Sequence, residues 1–180
     1  MANAAAPKLL YIREKLFSAL GKLTISDSAG QVAYVCASSW NWIGESWVLK
    51  RGDMHIASSR RKLWHLRPTW QVETPDGSLI LRRKVLSLRR RVSVQGGPYD
   101  GAELTGNFFD QSFVLTYHGQ VLARAAGKIL SLRDCHVIEV LDPDAELLVV
   151  ILMANVMVAR RTRTGAAADV PPGQNPGIGM

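Results

Sequence analysis

Three runs of basic residues lie close together in the middle of the sequence. Residues 51–91 contain 11 Lys and Arg against 3 Asp and Glu, in a chain of 180 residues with a formal net charge of +7. A local surplus of this kind attracts polyanions such as phosphoinositide headgroups, anionic bilayers or nucleic acid. Basic residues also solvate and protect strand surfaces, so the runs have a purely structural interpretation as well. The residues that could bind an anionic lipid are Arg60, Arg61, Lys62, Arg82, Arg83, Lys84, Arg89, Arg90 and Arg91.

Residue types that perform catalysis or bind metals are present, but their spacing does not fit either task. Cys36 and Cys135 have no Cys-x-x-Cys spacing, and the adjacent Cys135 and His136 point to opposite faces of a predicted strand. Asp142 and Asp144 lack the ligand spacing of a calcium loop, whereas helix capping explains them. We therefore predict no metal ion, no cofactor and no enzymatic activity.

A six-residue phrase recurs along the chain and indicates which elements carry the basic runs. Its pattern is Lys, aliphatic, bulky apolar, Ser or His, Leu, Arg, and its copies begin at Lys62, Lys84 and Lys128. The starts are separated by 22 and then 44 residues, which gives a period of 22. Weaker matches extend the series to six units.

Each unit contains two apolar stretches separated by short polar corners. The second stretch often alternates apolar and polar residues, as in Leu23-Thr24-Ile25-Ser26, and a period of two predicts half-buried strands. Six units of two strands give about twelve antiparallel strands, and a sheet of that size curls and closes, which removes its exposed edges. We therefore predict an all-β fold with one helix, built as a closed antiparallel barrel.

One C-terminal segment breaks the strand pattern and predicts a helix over residues from about 144 to 160. Asp142-Pro143-Asp144 has the capping chemistry of a helix start, and Arg160 suits the negative end of the helix dipole. The segment between them is apolar on nearly every side, so it must lie in a protein core or in lipid. A bilayer span needs about 20 apolar residues, which favours a central helix buried in the barrel over the alternative of a short membrane anchor. Asn155 would then need an internal hydrogen-bond partner.

The sequence predicts a single domain. We expect a single barrel domain over residues 8–163 and disordered tails at residues 1–7 and 164–180. A composition of 47% hydrophobic and 21% charged residues excludes a polytopic membrane protein and a fully disordered chain. Two cysteines are too few for a disulfide framework and residues 1–7 lack the layout of a signal peptide, so we expect a cytoplasmic protein.

Tryptophan occurs five times, mostly near the first basic run. Trp40 and Trp42 lie two residues apart on one predicted strand face, which suits a lipid interface or a platform for stacked bases. Filling of the barrel interior is the structural alternative, and it applies equally to Trp47, Trp64 and Trp70.

The sequence resembles the LURP-one-related family of the tubby C-terminal-like superfamily, from about Leu9 to Arg160. The motifs that carry the resemblance are Tyr11-Ile12-Arg13-Glu14-Lys15-Leu16-Phe17-Ser18, Leu66-Arg67-Pro68-Thr69-Trp70 and Lys128-Ile129-Leu130-Ser131-Leu132-Arg133. The resemblance implies a twelve-stranded barrel around one hydrophobic helix. Phospholipid scramblases look like more distant relatives, although the Pro-rich amino-terminal region and the Cys cluster typical of them are missing here.

These observations lead to one principal functional hypothesis. The chain is expected to bind anionic phospholipid or phosphoinositide headgroups through its basic runs, at the inner face of the membrane, as a tethering or regulatory module without enzymatic activity. The main alternative is a protein–protein scaffold or regulator without a lipid ligand. Scramblase-like activity and nucleic-acid binding are lesser alternatives, and no recognised nucleic-acid motif accompanies the basic charge.

Overall fold

Twelve strands and one long helix are present in a computed structural model that describes residues 7–14, 22–41, 44–62, 67–84, 90–107, 112–128 and 135–168. A 3-10 turn, Pro143–Ala145, leads from the last strand into the helix α1 (Glu146–Ala168). The strands are β1 (Lys8–Glu14), β2 (Lys22–Ser26), β3 (Val32–Asn41), β4 (Gly44–Arg51), β5 (Met54–Lys62), β6 (Thr69–Thr74), β7 (Gly77–Lys84), β8 (Arg90–Gln95), β9 (Glu103–Asn107), β10 (Ser112–Tyr117), β11 (Gln120–Lys128) and β12 (Cys135–Val140).

The strands form one closed antiparallel barrel. Each strand pairs with its neighbours in sequence, and β1 also pairs with β12, where Lys8 lies opposite Val140 and Ile12 lies opposite His136. Closure pairs both edges of every strand, which removes the template for edge-to-edge aggregation. The predicted barrel of about twelve strands is confirmed.

Alternate side chains of the strands fill the interior. In β6, Trp70 and Val72 are buried whereas Glu73 is exposed, and β2 buries Leu23 and Ile25 in the same manner. Burial of each large aliphatic side chain stabilises the fold by about 1.5–3 kcal/mol relative to exposure. The period of two that predicted these strands therefore reflects a core that lies on one side of the sheet.

Two of the five tryptophans are barrel filling. Trp47 and Trp70 are both buried in the core, as the structural alternative predicts. The side chain of Trp40 and the whole of Trp42 and Trp64 lie outside the described residues, so a role for them at a lipid interface stays a prediction.

The copies of the six-residue phrase all begin at the same end of the barrel. Lys62, Lys84 and Lys128, which begin the three phrases, are the last residues of β5, β7 and β11. One period therefore covers one pair of antiparallel strands. Most of the remainder of each phrase, at residues 63–66, 85–89 and 129–133, lies outside the described residues. We call this end of the barrel the repeat end, and the opposite end, where tight turns such as those at Gly30 and Gly77 connect the strands, the turn end.

The helix α1 enters the barrel at the turn end and lies in the core. Asp142 caps the 3-10 turn that leads into α1, because its side-chain carboxylate accepts a hydrogen bond of 3.1 Å from the backbone amide of Asp144. Every residue from Leu148 to Asn155 is buried. The Nε1–H of Trp47 donates to Oδ1 of Asn155 at 3.4 Å, which provides the internal partner that Asn155 requires. The predicted buried helix is confirmed.

The helix is longer than predicted. It ends at Ala168, whereas the sequence predicts an end near residue 160 and disorder from 164 onward. Arg and Ala have high helix propensity, and the single Gly165 costs only about 1 kcal/mol, so the backbone stays helical as far as Ala168. The predicted tails at residues 1–6 and 169–180 lie outside the described residues.

Candidate anion-binding surface

The three basic runs lie at the repeat end of consecutive strands. The first run closes β5, the second closes β7, and the third opens β8. Because β5, β6, β7 and β8 are neighbours in the barrel, runs that are separate in sequence share one part of the wall. Arg89 and the side chain of Arg90 lie outside the described residues.

Strand alternation divides the runs into outward and inward members. Ser59 and Leu81 are buried in the core, so Arg61 and Arg83, two residues further along each strand, follow the inward direction and are half-buried. Val92 is buried, which turns Arg91 outward. The outward set, which we call the basic face, consists of Arg60, Lys62, Arg82, Lys84 and Arg91.

The strand register fixes the spacing of the basic face. Lys62 lies opposite Thr69, and Thr69 lies opposite Arg82, so the two cations are two strands, or about 10 Å, apart in the backbone. Arg60 precedes Lys62 by about 7 Å along β5. Lys84 lies directly opposite Arg91, on adjacent strands about 5 Å apart. The five cations therefore occupy one patch rather than a band around the barrel.

One carboxylate neutralises part of this patch. Oε1 of Glu103 lies 3.6 Å from Nζ of Lys84, and Oε2 of Glu103 lies 3.3 Å from Nη1 of Arg91. Within the described ranges, Arg60, Lys62 and Arg82 have no ion-pair partner. Five cations and one carboxylate leave the basic face with a charge of +4, and its three unpaired cations are the ones available to an external anion.

An acidic side chain lies at the border of the patch. Gln71, opposite Arg60 on β6, donates a hydrogen bond of 2.5 Å from Nε2 to Oε1 of Glu73. The contact directs the Glu73 carboxylate toward Gln71, and no ion pair joins it to the described cations of the basic face. Glu73 therefore places one negative charge at the border of the basic face.

A second charged cluster lies at the turn end and fixes the helix in the barrel. Oε2 of Glu146, the first residue of α1, is 2.7 Å from Nζ of Lys8, and Oε1 accepts a hydrogen bond of 2.7 Å from the Tyr34 hydroxyl. Arg51 donates to the same hydroxyl and lies over the Tyr34 ring at 4.7 Å. Burial, followed by the hydrogen bond to Glu146, raises the pKa of Tyr34 to about 12. These contacts hold the start of the helix against the barrel wall. Lys8 and Arg51 already have Glu146 and Tyr34 as partners, so we do not assign this cluster to an external anion.

The barrel interior contains little space. A small apolar cavity of about 10 Å³, partly open to solvent, lies between α1 and the wall near Ile12, Phe113, Met153 and Met157. Its walls offer packing contacts rather than charge. Among buried side-chain atoms, Ser59 Oγ and Trp70 Nε1 have no hydrogen-bond partner within the described part of the chain.

No group of three or more His, Cys, Asp or Glu side chains that could hold a metal ion occurs among the residues that the structure describes. In the same residues, no helix combines the length and the apolar character needed to cross a bilayer.

All five cations of the basic face are among the candidates predicted from the sequence, whereas the carboxylate that lies beside two of them is not. Glu103 is the first residue of β9 and lies opposite Ser93, which brings its carboxylate close to Arg91 and Lys84. Nothing in the local sequence of Glu103 distinguishes it from other exposed acids. Only the register between β8 and β9, combined with that between β7 and β8, reveals the contact.

Comparisons with known proteins agree with this architecture. A family model described as LURP-one-related matches residues 8–158. The fold is similar to the X-ray structure of a protein from Arabidopsis thaliana, with a TM-score of 0.58 and 14% sequence identity over 84% of this chain and 91% of that chain. At this identity the likeness shows the fold alone. A comparison with curated proteins finds no match.

Proposed function

The chain belongs to the LURP-one-related family, and on that premise we propose that it is a non-enzymatic barrel that binds anionic phospholipid surfaces. The binding element is the basic face, and the partner is the headgroup layer of a membrane that contains phosphatidylserine or phosphoinositides. The protein would act as a peripheral module at the cytoplasmic side of the membrane, where it tethers or regulates other components.

The observation that carries this proposal is a set of three outward cations that have no counter-ion among the residues that the structure describes. Arg60 and Lys62 on β5 and Arg82 on β7 lie within about 12 Å of one another in the backbone, with β6 between the two strands. A protein that needed these residues only for solubility could pair them with acids, as it pairs Arg124 with Glu139 on the outer wall. An uncompensated patch supports an external polyanion as the partner.

The position of the helix determines the mode of contact. Residues from Leu148 to Asn155 are buried in the barrel and take part in its core. Removal of this segment to reach lipid would expose the interior, so binding through the outer wall needs no rearrangement of the fold. The attraction is then electrostatic, at about 1 kcal/mol for each Lys or Arg near an anionic surface.

Binding of purified protein to liposomes tests the proposal. We expect co-sedimentation with vesicles of phosphatidylcholine and phosphatidylserine at about 0.1 M salt, and none with phosphatidylcholine alone. The bound fraction should fall strongly at about 1 M salt, where the Debye length shrinks from about 10 Å to about 3 Å. Binding that ignores salt, or an absence of binding to every anionic vesicle, would contradict the proposal. A single stoichiometric protein partner without vesicle binding would then favour the scaffold alternative.

A further inference from the structure

We infer that Glu103 restrains the basic face, as a built-in counter-ion that competes with the membrane for Lys84 and Arg91. The inference rests on the proposed function and adds a regulatory residue to the same surface. It separates the face into three cations that are open to any anionic surface and two that are released only when lipid headgroups replace the carboxylate.

The geometry places Glu103 between its two cations. Nζ of Lys84 is 3.6 Å from Oε1, and Nη1 of Arg91 is 3.3 Å from Oε2. The side chains are 46% exposed in Lys84, 40% in Arg91 and 33% in Glu103, so all three reach the same solvent layer as an approaching membrane. The carboxylate is thus at the surface that headgroups would contact, and not in the core.

The negative charge of Glu103 opposes the binding of anionic headgroups to the basic face. Headgroups that approach the basic face meet the repulsion of Glu103 together with the attraction of its five cations. The pairs with Lys84 and Arg91 are partly exposed, and pairs of this kind contribute little to folding stability. Replacement of Glu103 by an uncharged residue of the same shape should therefore strengthen membrane binding with little effect on the fold.

The chain offers a matched control for this substitution. Glu139 on β12 also forms an ion pair across neighbouring strands, with Nε of Arg124 at 2.5 Å, and its side chain is 25% exposed. Three strands, β9 to β11, separate β12 from β8, the nearest strand of the basic face in the barrel order. Glu139→Gln removes the same charge as Glu103→Gln, but from another part of the barrel wall. The distance from Glu139 to the basic face exceeds the Debye length, which is about 10 Å at 0.1 M salt.

The experiment compares both variants with the unmodified chain in vesicle binding. For vesicles of phosphatidylcholine and phosphatidylserine at about 0.1 M salt, we expect Glu103→Gln to increase the affinity by about fivefold, the effect of one charge near the surface. Glu139→Gln should change the affinity by less than about twofold. Neither variant should bind vesicles of phosphatidylcholine alone. Urea unfolding should give similar stabilities for the three proteins, so that the gain is not the result of a loosened barrel.

The possible results separate this inference from the proposed function. An unchanged affinity in Glu103→Gln, or equal gains in both variants, overturns the restraint by Glu103 while the membrane proposal stands on the binding of the unmodified chain. A failure of all three proteins to bind anionic vesicles overturns both. A gain that is confined to Glu103→Gln and is lost at about 1 M salt supports the inference.

Discussion

The hydroxyl of Tyr34 donates a hydrogen bond of 2.7 Å to the carboxylate of Glu146, and this contact joins the wall of the barrel to the first residue of the helix inside it. Lys8 and Arg51 approach the same carboxylate, at 2.7 Å and 4.0 Å. The buried helix therefore has a fixed position at the turn end, while the basic face lies at the repeat end. A rigid barrel keeps the cations of β5, β7 and β8 at constant spacing for an external partner.

Loss of this hydrogen bond should destabilise the fold. Tyr34→Phe removes the donor and leaves a carboxylate that has lost one of its partners, which we expect to lower the free energy of unfolding by about 1.5–3 kcal/mol. Tyr117→Phe is the control, because its hydroxyl donates to Pro98 O at 3.2 Å in an exposed contact. The control should cost less than about 1 kcal/mol. Urea unfolding of the two variants measures both changes, and equal losses would contradict the role of the contact.

The same tyrosine should make stability depend on alkaline pH. Burial and the hydrogen bond to Glu146 raise the pKa of Tyr34 from 10.0 to about 12, so the folded state holds the phenolic proton more tightly than the unfolded chain. This contribution is present below pH 10 and is lost as the pH rises toward 12. It amounts to at most about 3 kcal/mol.

Unfolding measurements on the unmodified chain and on Tyr34→Phe separate this effect from other titrations. The stability difference between the two proteins should shrink as the pH increases from 10 to 12, because only the unmodified chain loses the Tyr34 contribution. A difference that stays constant across this range would mean that Tyr34 titrates normally in the folded protein.

A charged residue in the buried first half of α1 should prevent folding. Val150 is 1% exposed, so Val150→Asp would bury a carboxylate without a partner in the barrel core. Val150→Ala leaves only a small cavity and should remain folded with a loss of about 2 kcal/mol. Circular dichroism and thermal unfolding distinguish the two variants. A soluble, folded Val150→Asp protein with normal stability would refute the position of the helix inside the barrel.

The architecture could be predicted from the sequence because its signals are local and repeated. The alternation in β2 and β6 reports a core on one side of the sheet, and a period of 22 residues matches a pair of antiparallel strands. Asp142-Pro143-Asp144 predicted the helix start, where Asp142 is the cap. The predicted helix end was wrong, because the prediction placed it where the apolar pattern gives way to arginines, whereas Arg and Ala also favour helix and α1 ends at Ala168.

The details of the candidate site depend on relationships that the sequence does not display. Arg60, Arg61 and Lys62 are adjacent in the sequence and were predicted as one cluster. In the strand, alternation turns Arg61 toward the interior and the other two outward. The phase of β5 is set relative to β4 by a register shift between Leu49 and Lys50, which no residue pattern predicts. Pairing between strands likewise determines which cations Glu103 neutralises.

The central claim is that the basic face, and not the net charge of the chain, binds anionic membranes. Arg60→Ala combined with Arg82→Ala removes two exposed cations from the face. Lys50→Ala combined with Arg124→Ala removes two exposed cations that lie outside the basic face. Lys50 lies opposite His55 in the strand register, nearer the turn end, and Arg124 lies on β11. Both double variants have the same net charge.

The deciding measurement is the affinity of these two double variants for phosphatidylserine vesicles at about 0.1 M salt. We expect the Arg60/Arg82 variant to bind about thirtyfold more weakly than the unmodified chain, at about 1 kcal/mol for each cation. The Lys50/Arg124 variant should retain its affinity within about threefold. Equal losses in the two variants would show that membrane attraction follows total charge, and they would contradict the assignment of the basic face.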